Sequence, residues 1–304
     1  MGFINALLSL LNALPGAVAQ GIIWGIMAIG VYVTYKILDI ADLTVDGSIC
    51  TGACVCTMLV TNGVSVWIAM PAAILAGMLT GLLTGVFHAI LGIPAILSGI
   101  LTQLMLWSIN LKILGSKSNQ GLSARTYNVA ITQLERYKAI IILLVFVAAL
   151  IGLLYWFFGT ELGCSIRATG CNLNMSHAQG INTNFTKILG LVISNGIVAF
   201  SGALLCQYQG FADINMGRGA IVIGLAAVII GEALFGKFTH NFAVKLLCVI
   251  GGGIIYYIVY QTVIWIGLDT DLLKMLSALV VAIFLAVPTL KAKLSSNRKK
   301  NGGN

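Results

Sequence analysis

A chain of 304 residues that is 59% hydrophobic and only 9% charged, with a mean hydropathy of +1.00, cannot cover a water-facing surface, because soluble domains carry roughly a quarter charged residues. Its apolar runs have the length of spanning helices, which makes it an all-α integral membrane protein and not a barrel. The net charge of +8 is not a nucleic-acid signature, since much of the excess sits in Lys291, Lys293, Arg298, Lys299 and Lys300, directly after the last apolar run.

The N-terminal residues 1–15, MGFINALLSLLNALP, lack the basic n-region of a secretory signal and read as an interfacial segment that Pro15 ends. Residues 16–290 form the transmembrane domain. Gly16 to Leu38 is its first span, with Gly21 and Gly25 on one face for close packing. After it, Lys36, Asp39, Asp42 and Asp46 crowd together, and Ile49 to Val60 is apolar but short, as in a broken or tilted element. Val64 to Leu91 and Ile93 to Leu114 follow, the second containing Gln103 and Asn110.

Gly115 to Lys138 is a polar loop outside the bilayer. It is expected on the face opposite the later loop 161–182, although Lys117, Arg125, Arg136 and Lys138 argue the other way. Tyr137 to Phe158 and Thr186 to Leu205 span in opposite directions. Gln207 to Gly219 is glycine-rich and polar. Ala220 to Phe235, which carries Glu232, is long enough only for a partial span. Phe242 to Ile266 and Leu272 to Leu290 complete about eight to ten membrane elements, some of them broken or re-entrant. Residues 291–304 are a basic tail, cytoplasmic by the positive-inside rule and attracted to anionic lipid.

An internal echo links the two breaks. Ala41-Asp42-Leu43 is followed by Gly47, Ala212-Asp213-Ile214 by Gly217, and Gly25 and Gly196 precede the two aspartates at the same distance. Either a short match has arisen by chance, or the chain is an inverted repeat whose breaks lie on opposite sides of one central pathway.

No catalytic constellation is present. His88, His177 and His240 have no nucleophile, base or metal ligand at a workable spacing. Cys50, Cys54 and Cys56 lie close together, yet no histidine or second thiolate pair completes a soft-metal site. There is no phosphate-cradling glycine loop, so the chain does not itself hydrolyse a nucleotide. The informative residues are the intramembrane charges. Asp42, Asp46, Asp213 and Glu232 either face a pathway or partner, or are structural: the aspartates cap broken helices and Glu232 pairs with a neighbour such as Lys237.

The remaining feature is Glu161 to Asn182, ELGCSIRATGCNLNMSHAQGIN, a long polar interruption without proline. It has helical spacing and the apolar anchors Ile166, Met175 and Ile181. It reads as a short helix outside the bilayer able to dock a partner, since long ordered loops are disproportionately functional. The bland reading is a solvated loop.

Three stretches carry a family resemblance: GIIWGIMAIGVYVTYKILDIADLTVDGS from Gly21 to Ser48, TELGCSIRATGCNLNMSHAQGIN from Thr160 to Asn182, and SNGIVAFSGALLCQYQGFADINMGRG from Ser194 to Gly219. The chain resembles the permease subunit of an ATP-binding-cassette importer of the branched-chain amino-acid and ribose permease family. Within it, the chain is similar to the group paired with lipid-anchored binding proteins of the tryptophan/tyrosine type. The likeness runs from about Gly16 to Leu290, and Arg167-Ala168-Thr169-Gly170 and Gly180-Ile181-Asn182 are its more specific pieces.

The resemblance implies that 161–182 is a cytoplasmic coupling element in which Ile166, Arg167, Ala168, Thr169, Gly170, Asn172 and Met175 contact a separate ATPase, which binds the ATP and magnesium. It also implies a homodimer with the pathway on its two-fold axis, a binding protein outside, a location in the cell membrane, and an amino acid or similar small polar solute. The breaks ADLTVDGS and GFADINMGRG depart from the sugar and branched-chain members, which leaves the solute open. The rivals are an ion-coupled transporter or channel using Asp39, Asp42 and Glu232, and an intramembrane enzyme, which the missing nucleophile and base disfavour.

Overall fold

The computed structural model describes residues 2–236 and 241–265, with side chains from residue 13 onward, and isolated positions between 275 and 286. The expected last span Leu272 to Leu290 is therefore only touched, and the tail 291–304, Lys237 and His240 lie outside the described residues.

Six described helices are long and apolar enough to cross a membrane. They belong to α1 (Gly2–Tyr32), α3 (Val66–Gly85), α4 (Ala95–Ile113), α5 (Arg136–Gly159), α8 (Thr183–Gln209) and α10 (Phe242–Trp265). Two apolar helices are shorter, α2 (Val45–Thr61) and α9 (Ala220–Phe235). At 17 and 16 residues they reach only about 25 Å at 1.5 Å per residue, less than a hydrocarbon core of about 30 Å.

One boundary differs from the sequence reading. The chain does not break at Pro15, because α1 runs through it. Proline removes the one N–H that would bond Leu11, and the surrounding leucines and alanines are strong helix formers. The fold is all-α, as expected, apart from one short ribbon. The polar loop after α4 contains β1 (Asn119–Gly121), which pairs antiparallel with β2 (Phe211–Asp213) after α8, Asn119 opposite Asp213 and Gly121 opposite Phe211. This ribbon marks one face of the molecule. The segment 161–182 marks the other, as the sequence reading expects.

The core consists of two units of the same plan. In each, a long helix, a break and a short helix follow one another: α1, residues 38–44, α2; then α8, residues 210–219, α9. The long helices run antiparallel. Tyr208 lies against Gly16, the Ser201 Oγ donates to the Ile23 carbonyl at 2.7 Å, and the Ser194 Oγ donates to the Gly30 carbonyl at 2.8 Å. Each short helix packs on the other unit's long helix. Gly52 of α2 sits on the Ala199 backbone of α8, and Gly224 of α9 sits on Met27 and Val31 of α1. A Cβ at Gly52 would overlap the Ala199 carbonyl, so glycine is required there by the close approach. Small-residue contact of this kind is how helices associate where lipid gives no hydrophobic drive.

Buried hydroxyl and amide groups cross-link the helices. Thr44 bonds Thr84 at 2.7 Å, and Thr84 donates to Thr102 at 2.9 Å. Ser48 bonds Thr80 at 2.7 Å and donates to the Asn195 Oδ1 at 2.6 Å. The network joins α2, α3, α4 and α8, and satisfies polar groups that would otherwise be costly in an apolar interior.

Candidate functional site

The segment 161–182 is two helices, not the single short helix expected from sequence. They are α6 (Glu161–Cys171) and α7 (Leu173–Ala178). The division follows from three N-caps. Side-chain oxygens of Thr160, Asn172 and Asn182 accept from the backbone N–H of Gly163, Met175 and Phe185, starting α6, α7 and α8 in turn. Asn172 is extended, which ends α6, and Gly180 takes the left-handed turn at φ +78.

One side of α6 is fixed to the body. Ile166 is fully buried and reaches Gly190 of α8. The Thr169 hydroxyl bonds that of Thr186 at 2.9 Å. Gly170 lies against the Ile37 carbonyl at the end of the first long helix, with no room for a side chain. The other side is open. Arg167, Ala168 and Asn172 are exposed, and so are the apolar Leu162, Leu173 and Met175. Arg167 also donates to the Phe158 carbonyl at 2.7 Å, which closes the end of α5. The seven residues named from the resemblance therefore divide into an inward set, Ile166, Thr169 and Gly170, and an outward set, Arg167, Ala168, Asn172 and Met175.

The acidic residues sit at four different places. Asp42 and Asp213 make the same local turn: the Asp42 Oδ1 accepts from Thr44 N at 2.9 Å, and the Asp213 Oδ1 from Asn215 N at 2.6 Å. The echo in the sequence is thus an echo in backbone geometry, once near α6 and once beside the ribbon. The other oxygen of Asp42 accepts from the Asn195 Nδ2 at 2.7 Å. Asp42 belongs to the connection 38–44 and is buried against the middle of α8.

Asp46 does something the sequence did not disclose. Its two oxygens accept from Gly219 N and Ile221 N, both at 2.9 Å. A carboxylate on the first turn of α2 therefore caps α9, where the unpaired N–H groups and the helix dipole favour negative charge. Gly217 packs against the Asp46 carbonyl and Cys50. The first turn of α2 meets the second break here, inside the body. Glu232 pairs with Lys36 at 2.9 Å, joining α9 to the end of the first long helix. The neighbour expected from sequence, Lys237, lies outside the described residues.

Beside this crossing lies a cavity of about 320 Å³, lined among others by Asp46, Cys50, Gln103, Trp107, Asn110 and Arg218. Asn110 and Arg218 are absent from the sequence-derived site residues. Among the described residues no group of three or more histidine, cysteine, aspartate or glutamate side chains could hold a metal ion.

Broken helices crossing inside a multi-pass bundle, beside a helix pair braced on one face, are the parts of a membrane permease. The chain belongs to the family described as "Branched-chain amino acid transport system / permease component", whose model matches residues 14–287. These are membrane subunits of ATP-binding-cassette transport systems and not an enzyme class.

The chain is 40% identical over 292 residues to the tyrosine transport system permease protein of Clostridioides difficile (strain R20291), covering 95% of this chain and 96% of that one. It is 33% identical over 279 residues to the Rickettsia prowazekii (strain Madrid E) protein RP368, covering 91% and 98%. It is 30% identical over 191 residues to the autoinducer 2 import system permease protein LsrC of Escherichia coli (strain K12 / DH10B), covering 61% of this chain and 54% of that one. No solved structure matches the chain.

Proposed function

We propose that the chain is the membrane subunit of an ATP-driven importer for an amino acid of the tyrosine class, powered by a separate ATPase that seats on the open side of α6 and α7. The ATPase side of the membrane is then the cytoplasm. Two copies of the chain stand around a two-fold pathway, and an extracytoplasmic lipoprotein delivers the solute. The observation that carries this reading is the two-sidedness of α6. Ile166, Thr169 and Gly170 lock it to the ends of both long helices. Ala168, Leu173 and Met175 remain open to a partner, and Arg167 is exposed beside them while it holds the Phe158 carbonyl. A helix held this rigidly can convey a partner's closure into the bundle as a rigid-body movement.

The tyrosine class is supported by the Clostridioides difficile relative, which matches over nearly the full length of both chains. Ion coupling is less well supported, because two of the three carboxylates named for it are engaged: Asp42 holds a turn and bonds Asn195, and Glu232 is paired with Lys36.

The test is uptake of labelled L-tyrosine by cells carrying Met175→Asp or Arg167→Glu. An interface anchor lost from a docking surface costs about tenfold or more in function, so both variants should accumulate in the membrane yet import poorly. ATP-driven uptake at the wild-type rate by both would remove α6 and α7 from the coupling role.

A further inference from the structure

The cavity where the start of α2 meets the second break contains one feature that its own packing does not explain. Asn110 on α4 is 1% exposed, and its Oδ1 has no hydrogen-bond partner. A buried acceptor left open costs free energy, and this one lines the cavity. Arg218 lines it too. Arg218 is exposed, and among the described residues no ion pair engages its guanidinium. Asp46 supplies an anion whose oxygens accept one backbone N–H each and keep further lone pairs. Trp107 adds an aromatic ring in the same wall, 43% exposed. At about 320 Å³ the cavity falls in the range of small-molecule sites, roughly 300–1,000 Å³.

We infer that this cavity is a solute site within the permease itself, built for a zwitterionic α-amino acid with an aromatic side chain. Arg218 takes the carboxylate, the Asn110 Oδ1 and Asp46 take the ammonium, and Trp107 takes the ring. An anion alone would leave Asn110 unpaired, and a cation alone would leave Arg218 unpaired. A zwitterion satisfies both. The location fits a site on the route, because the wall is made from the first turn of α2, from α4 and from the break before α9. A shift of the two units against each other would dismantle it. Specificity would then be read twice, once by the delivering protein and once here.

The inference rests on the amino-acid reading above. The experiment measures uptake of labelled L-tyrosine by cells bearing the complete importer, together with the thermal stability of the purified permease. The variants are Arg218→Gln, Arg218→Lys and Asn110→Leu. Arg218 lies in an exposed turn, so its replacement leaves the fold intact. Asn110→Leu removes a buried unpaired acceptor, so the permease should be as stable as wild type or more so.

Arg218→Gln and Asn110→Leu should each lower uptake about tenfold or more, as expected on removing one partner of a desolvated polar contact. Arg218→Lys should retain more uptake than Arg218→Gln. Uptake within about twofold of wild type in both Arg218→Gln and Asn110→Leu would overturn the site. So would an Asn110→Leu loss that tracks a fall in thermal stability. If wild-type cells import no amino acid, the transport reading itself falls, and that is seen before any variant is compared.

Discussion

At the residue scale the molecule turns on Asp46. Its sequence context, an aspartate in an Asp-Gly step beside other acids, suggests a local cap. Its oxygens instead reach across to the start of α9. The carboxylate does for α9 what Gly219, which offers no side-chain cap, cannot do for itself. Losing such a cap costs about 0.5–2 kcal/mol. Asp46→Ala should therefore lower the thermal midpoint of the purified permease, while Asp46→Asn, which keeps one acceptor, should lower it less. Equal midpoints for Asp46→Ala and wild type would mean that α9 is held by packing alone.

At the scale of elements, α6 is fixed by the absence of a side chain at Gly170. A Cβ there would strike the Ile37 carbonyl. Overpacking against backbone costs about 1–3 kcal/mol. Gly170→Val should loosen α6 from the bundle, which limited proteolysis would register as faster cleavage within 161–182 and unchanged cleavage of the ribbon loop. Cleavage at the wild-type rate would place the hinge elsewhere.

Much of this element was legible in the sequence. Its polarity and length follow from composition, and its opposition to the 115–138 loop follows from the single span between them, against the basic residues of that loop. Its division into two helices was written in Thr160, Asn172 and Asn182, but cap residues also occur in turns that start no helix. The split between inward and outward residues was not legible. Ile166 and Thr169 face α8 because of how α6 leans on Gly190 and Thr186, and spacing alone carries no such information.

At the scale of the whole molecule, the described spans and the two short helices were visible as apolar runs, and α9 has the limits its sequence implies. The crossing was only half visible. The Ala-Asp echo located both breaks and does correspond to one repeated turn, but nothing local tells which break an aspartate serves. Pairs such as Lys36 with Glu232, or Asp46 with Gly219, join residues from opposite halves of the chain, beyond the reach of helical periodicity. The buried hydroxyl network left a fainter trace: Thr44 and Ser48, Thr80 and Thr84, Ser98 and Thr102 each stand four apart on a helix face. That spacing is uninformative until the helices are placed side by side. Asn110 is the clearest case, an amide in an apolar helix whose lack of a partner emerges only once its neighbours are known.

These scales converge on one arrangement: two opposed broken-helix units with α6 and α7 braced against them and open to a driving partner. The most direct test is to purify the tagged chain from its native membrane under mild solubilisation and quantify what remains bound. Wild type and Glu232→Gln should each retain a nucleotide-binding ATPase in equal amount to the chain, because Glu232 belongs to α9 and not to α6 or α7, and Arg167→Glu should lose it. Recovery of the wild-type chain as an oligomer without any ATPase would contradict the account.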